Sequence, residues 1–146
     1  MKIISNNLFF SEIEKILSAG ENVSIAIKGR SMMPLLNSKR DVVVLTPVGR
    51  QMLAVGQIVI FRYKGRHLLH RIIKINAENI TIQGDGVRST ETATSDDIVG
   101  IVRKIIRQNG RKITLPNRWE NFYFRFWFML KPFRRYLLAI YRRVFL

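Results

Sequence analysis

The chain has 146 residues, 47% of them apolar, which suits one domain with one core and does not describe a disordered tail. It has no cysteine, which excludes disulfides, thiolate metal sites and cysteine nucleophiles and fits a reducing compartment. A formal charge of +15 implies a basic surface that attracts nucleic acid, anionic lipid or acidic protein alike.

Near the start, Ser11-Glu12-Ile13-Glu14 has the Ser-x-x-Glu spacing of a capping box and predicts a short helix from about Glu12 to Ala19, stopped by Gly20. Glu12, Glu14 and Lys15 interrupt the stretch before a signal-peptide core can form. No window approaches the roughly 20 uncharged apolar residues of a spanning helix, so a cytoplasmic location is expected.

From Asn22 onward the pattern turns strand-like. "NVSIAIKG", "DVVVLTP", "QIVIFRYKG", "LLHRIIKI", "NITIQGD", "IVGIVRKIIRQ" and "KITLP" are rich in β-branched residues and bounded by Gly, Asn, Asp or Pro. Hairpin-sized gaps at Lys64-Gly65-Arg66 and from Asn76 to Asn79 predict a mainly β fold, a coiled antiparallel sheet or partial barrel.

The tail from residue 117 to 146 differs. Phe122, Phe126, Met129, Phe133, Leu137, Ile140 and Val144 fall on one face of a helix, with Arg118, Arg125, Arg135 and Arg142 largely elsewhere and Pro132 expected to kink or split it. The bland reading is a helix packed on the sheet. Trp119, Phe126, Trp127, Arg134 and Arg135 instead give it the composition of an interfacial segment that meets an anionic membrane or a partner. Nucleic acid is disfavoured, because aromatics beside arginines can stack bases but no nucleic-acid motif accompanies them.

Between the first two strand segments lies "GRSMMPLL", Gly29 to Leu36. A turn requires Gly or Pro but not two methionines, so Met32 and Met33 suggest the floor of a groove, or core filler, and Ser31 a group acting there. A serine nucleophile needs a base. His70 is placed by strand alternation on the face of Ile72, opposite Arg71, where it can reach a neighbouring loop. A carboxylate must then orient the imidazole; Asp85, just past the next strand, is one candidate, and Asp96 and Asp97 are others. His67 and His70 are disfavoured as a metal pair, since a spacing of three on a strand puts them on opposite faces, and Gly84-Asp85-Gly86 lacks the features of a phosphate loop. No metal and no cofactor is called for.

These segments carry a resemblance. Ser31-Met32-Met33-Pro34, "VGQIVIF" at Val55 to Phe61, His70-Arg71-Ile72, Gly84-Asp85-Gly86 and "DIVGIV" at Asp97 to Val102 resemble the ordered boxes of the type I signal peptidases and the related self-cleaving repressor peptidases. The histidine at its box makes the chain most similar to the Ser-His branch. The resemblance implies the twisted antiparallel sheet of that clan over residues 1–116, with a basic aromatic tail over 117–146. It also implies Ser31 as nucleophile, His70 as general base, and Asp85 as the orienting acid with Glu91 or Asp97 in reserve. Backbone amides around Ser31, beside Gly29, would hold the oxyanion, and Met32 and Met33 would help floor a groove for an extended peptide with small apolar side chains near the scissile bond. The chain departs from the family at Gly56-Gln57, where an Asp is usual, and after Gly84-Asp85-Gly86.

The function expected is a serine endopeptidase that cleaves a leader or precursor peptide, peripheral on the inner membrane surface, with activity rising through pH of roughly 6 to 7 as an ordinary histidine deprotonates. The alternatives are an inactive peptide-binding or membrane-adaptor module and a self-cleaving regulator. Only about twenty residues precede the first strand, too few for a DNA-binding domain.

Overall fold

The computed structural model describes residues 6–27, 29, 31–37, 40–49, 53–115, 118–130 and 133–145, except for the side chains of 6–8, 118–120, 134, 135 and 145. The elements run α1 (Asn6–Ser18), β1 (Val23–Ala26), β2 (Asp41–Pro47), β3 (Ile58–Tyr63), β4 (Arg66–Ile75), β5 (Ile80–Gln83), β6 (Glu91–Ala93), β7 (Ile98–Arg107), β8 (Lys112–Thr114), α2 (Arg118–Met129) and α3 (Arg134–Phe145). All strand pairs are antiparallel, in the order β1-β2-β7-β3-β4-β5-β6, with β8 also on β7. This eight-stranded sheet is not closed, and the mainly β architecture expected from the sequence is the one observed.

Alternation along β3 explains how the sheet is covered on both sides. Ile58 and Ile60 enter a core with Ile25, Met32, Val43, Leu45, Val102 and Ile105, onto which α1 lays Ile13 and Leu17. Val59 and Phe61 enter a second core with Ile72, Ile80, Ile82, Ile98 and Ile101. A strand buried on both faces reads as a continuous apolar run, as "IVIF" does.

α1 begins at Asn6, about six residues before the expected start, so Ser11 lies inside the helix and is not its cap. Phe10, one turn ahead of Ile13, packs on the first core and stacks on His67 at 4.6 Å, and this tertiary contact extends the helix past the local capping signal. It ends at Ser18, one residue short of the expected Ala19. Gly20, at φ 84°, lets its own N–H reach the Leu17 carbonyl and that of Glu21 reach the Ile16 carbonyl, closing the last turn.

The tail forms two helices, α2 and α3, rather than one; Pro132 lies outside the described residues. No described helix is long and apolar enough to cross a membrane.

Candidate active site

Ser31 opens a turn over residues 31–35 in the connection from β1 to β2. The two methionines fasten this turn to the body: Met32 and Met33 are buried, Leu36 is fully buried, and the Leu36 N–H donates to the Met32 carbonyl at 2.9 Å. Ser31 itself is half-buried and, with Met32, lines a groove of about 460 Å³ whose other walls are Ile25 and Ala26 on β1 with Ile27 just after it, Ile60 on β3, His67, Leu68 and Leu69 on β4, and Phe9 and Phe10 on α1. Met33 is buried but does not line this groove, so of the two methionines only Met32 forms its floor. Gly29 is exposed, at φ 78°, and is not among the groove's lining residues.

Gly84 is where the serine turn meets the histidine. Arg71 pairs with Gln83 across β4 and β5, which makes Gly84 the neighbour of His70. A Cβ on Gly84 would stand 2.4 Å from the Ser31 carbonyl oxygen and 3.0 Å from His70 Cδ2, so only glycine lets the turn lie down here beside the imidazole. The next peptide fixes the turn, since the Gly86 N–H donates to the Ser31 carbonyl at 2.8 Å. Among the described residues neither the Ser31 hydroxyl nor His70 Nε2 has a hydrogen-bond partner. The structure thus brings the Ser31 backbone and the His70 ring to one glycine, with no hydrogen bond between the serine hydroxyl and the imidazole, and His70 is not among the residues that line the groove.

His70 is buried, its ring tilted at 57° against Phe61 with centroids 6.0 Å apart. Its Nδ1 lies 3.0 Å from Glu91 Oε1, yet the oxygen is off the ring N–H direction, and Glu91 Oε2 finds no partner among the described residues. Burial lowers the His70 pKa below its ordinary 6.5, against the charges of Glu91 and, less, Asp85, which favour the imidazolium. The imidazole is therefore neutral at pH 7. A proton on Nδ1 facing Glu91 leaves the Nε2 lone pair free to accept one.

Asp85, expected beside the imidazole, does not stand at His70 Nδ1; Glu91, the reserve, does. The Asp85 carboxylate is held by Arg71, whose Nε and Nη2 donate to its two oxygens at 2.9 and 3.0 Å, and by the Tyr123 hydroxyl at 3.1 Å. Successive residues point to opposite faces, so Gly84 lies against His70 while Asp85 turns to the side of Arg71. Asp97 is also committed elsewhere, accepting from the Thr94 N–H and hydroxyl at 3.0 and 3.2 Å. Gln57 accepts from the Ala54 N–H at 2.9 Å and so closes a local turn.

The expectation for Trp127 is corrected as well. It is not a free membrane or partner contact: its indole is buried and donates to the Asp85 carbonyl at 2.6 Å. Phe126, one residue earlier, is exposed as expected. The side chains of Trp119, Arg134 and Arg135 lie outside the described residues. Arg71, fully buried between Asp85, the Gly56 carbonyl and the rings of Tyr123 and Phe124, went unrecognised in the sequence because α2 covers a strand face that alternation alone leaves open. His67 is occupied by Glu14 of α1, its Nε2 2.6 Å from Oε1, and among the described residues no three His, Cys, Asp or Glu side chains gather as a metal site.

No protein-family model matches the chain. No curated protein matches it either.

Proposed function

We propose that the protein is a serine endopeptidase resembling the signal peptidases of the Ser-His branch, acting on an extended leader or precursor peptide. Ser31 is its nucleophile, His70 its general base and Glu91, in place of Asp85, the carboxylate that orients the imidazole. The observation that carries this proposal is the meeting of the Ser31 turn and the His70 ring on Gly84, with a buried carboxylate behind the imidazole and an apolar groove opening at the serine.

In this mechanism the Ser31 hydroxyl oxygen bonds to the scissile carbonyl carbon as its proton passes to His70 Nε2. The C–N bond then breaks and the imidazolium returns that proton to the leaving amine, leaving an ester on Ser31. Water attacks the ester, His70 takes the water's proton and restores it to the serine oxygen, and the acid product departs. The peptide lies along β1, which among the described residues pairs only with β2 and leaves its other edge open beside the groove, so that it adds as a strand and fixes its scissile bond at Ser31.

The same proposal includes attachment to the inner face of a membrane through the tail. Phe122, Phe126, Met129, Phe133, Ile140 and Val144 are all exposed, with exposed Arg125, Arg142 and Arg143 on the same two helices. An apolar stripe with flanking cations suits the boundary between acyl chains and anionic headgroups.

Covalent labelling tests the chemistry. Wild type, Ser31→Ala and His70→Ala are incubated with a peptidyl boronate, a peptide-like β-lactam and a phosphonylating probe, with anionic vesicles present, and intact mass is read. A label on wild type alone is the expected result. Folded wild type that takes no probe would replace the enzyme with its rival, a peptide-binding adaptor, which the absent Ser31–His70 hydrogen bond favours.

A further inference from the structure

α2 has two working faces, and the inner one reaches the serine turn. Its Tyr123 hydroxyl donates to the Asp85 carboxylate at 3.1 Å, and one turn on the Trp127 indole donates to the Asp85 carbonyl at 2.6 Å. The two rings are nearly parallel, 8° apart in plane. Asp85 in turn donates its N–H to Met32 Sδ at 3.4 Å, and the following N–H, that of Gly86, holds the Ser31 carbonyl at 2.8 Å. The two peptides on either side of Asp85 therefore join the helix to Ser31 and Met32, with Arg71 gripping the Asp85 carboxylate from below.

We propose that Tyr123 and Trp127 are positioning residues for Ser31, acting through the Asp85-Gly86 segment, so that the tail is part of the reaction centre and not only its attachment to a surface. This rests on Ser31 being the nucleophile. The physical reason is local. The Ser31 turn is held from Gly86, and nothing in a turn of this kind fixes a serine oxygen to the few tenths of an ångström that attack on a carbonyl demands unless its support is itself fixed. Tyr123 and Trp127 bind that support by side chain and by backbone, two constraints on one residue.

Tyr123→Phe removes one donor and keeps the ring; Trp127→Phe removes one donor and replaces the indole with a smaller phenyl ring. Measured well below their melting temperatures, each is expected to slow labelling of Ser31 about five- to ten-fold, the factor corresponding to one hydrogen bond, and to speed amide exchange at Gly86. The pH midpoint of labelling stays that of wild type, because His70 and Glu91 are untouched. A purely structural role predicts a lower melting temperature with unchanged labelling rate and unchanged Gly86 exchange, and that result overturns the proposal. Wild type that takes no label removes the peptidase assignment instead; Gly86 exchange then tests the clamp by itself, and no acceleration in either variant overturns it.

Discussion

His70 and Arg71 are adjacent on β4, both are buried, and each stands within 3.0 Å of a carboxylate, but the two pairs are built differently. Arg71 meets Asp85 through two aligned N–H donors, and the carboxylate takes a further bond from Tyr123. His70 meets Glu91 through one contact off the N–H axis, with Glu91 Oε2 unpartnered among the described residues. A buried ion pair with every site filled is a structural joint, because moving either member strands a charge. A buried pair with one oxygen idle has room to tighten, which a base and its orienting acid require as the imidazole becomes charged. Among the described residues, polar satisfaction is complete around the Arg71 pair and incomplete around the His70 pair.

Breaking the two pairs separately sharpens this contrast. Arg71→Met should have the largest effect on the fold, a loss of about 3–5 kcal/mol in urea unfolding, since it leaves the Asp85 carboxylate buried and uncompensated. Glu91→Gln should do the reverse: stability moves by less than about 1 kcal/mol while Ser31 labelling falls on the order of a hundred-fold. Equal stability losses in the two variants would erase the distinction.

The pH profile follows from the same pair. Burial holds the His70 pKa below 6.5, so labelling should rise with pH through a midpoint below that value, lower than an ordinary histidine would give. Glu91→Gln removes a charge that favours the imidazolium and should move the midpoint lower still. The sign for stability agrees. The unfolded chain takes up the proton first, so the contribution of His70 to stability is complete above 6.5 and is lost as pH falls through the lower folded value. A midpoint above 6.5 in wild type would contradict the buried, base-ready imidazole.

Gly84→Ala places a methyl 2.4 Å from the Ser31 carbonyl oxygen. The turn must move, at a cost of about 1–3 kcal/mol, and labelling should drop with it. Retained labelling at the wild-type rate would mean that the serine turn and the histidine do not depend on this contact. The smallest effect on the fold is expected at the outer face of α2. Phe126→Ser with Met129→Ser should change stability by no more than about 0.5 kcal/mol per site, while flotation with anionic vesicles falls. Undiminished flotation would remove the apolar stripe from the membrane proposal.

Much of the strand framework was legible because its signals are local. "DVVVLTP" is β2 to the residue, and Lys64-Gly65 is the hairpin turn between Tyr63 and Arg66. β6 was not legible: Glu91–Ala93 is three residues long, too short for alternation to show, and with it went the signal that Glu91 rather than Asp85 would face His70. Trp127 was misread for a related reason. α2 is aromatic on both sides, and periodicity finds an apolar stripe without saying which stripe the body covers.

The sequence by itself determined the mainly β class and most of the strands along the chain, since these depend on spacing and side-chain type over a few positions. Only the tertiary structure decided which carboxylate stands beside His70 and which beside Arg71, which face of α2 is inside, and that the Ser31 turn rests on Gly84 and Gly86. Those are outcomes of register across β4, β5 and β6 and of a helix docking from the far end of the chain. Contacts of that kind are fixed by packing and by the need to pair buried polar groups, neither of which is written in any one segment.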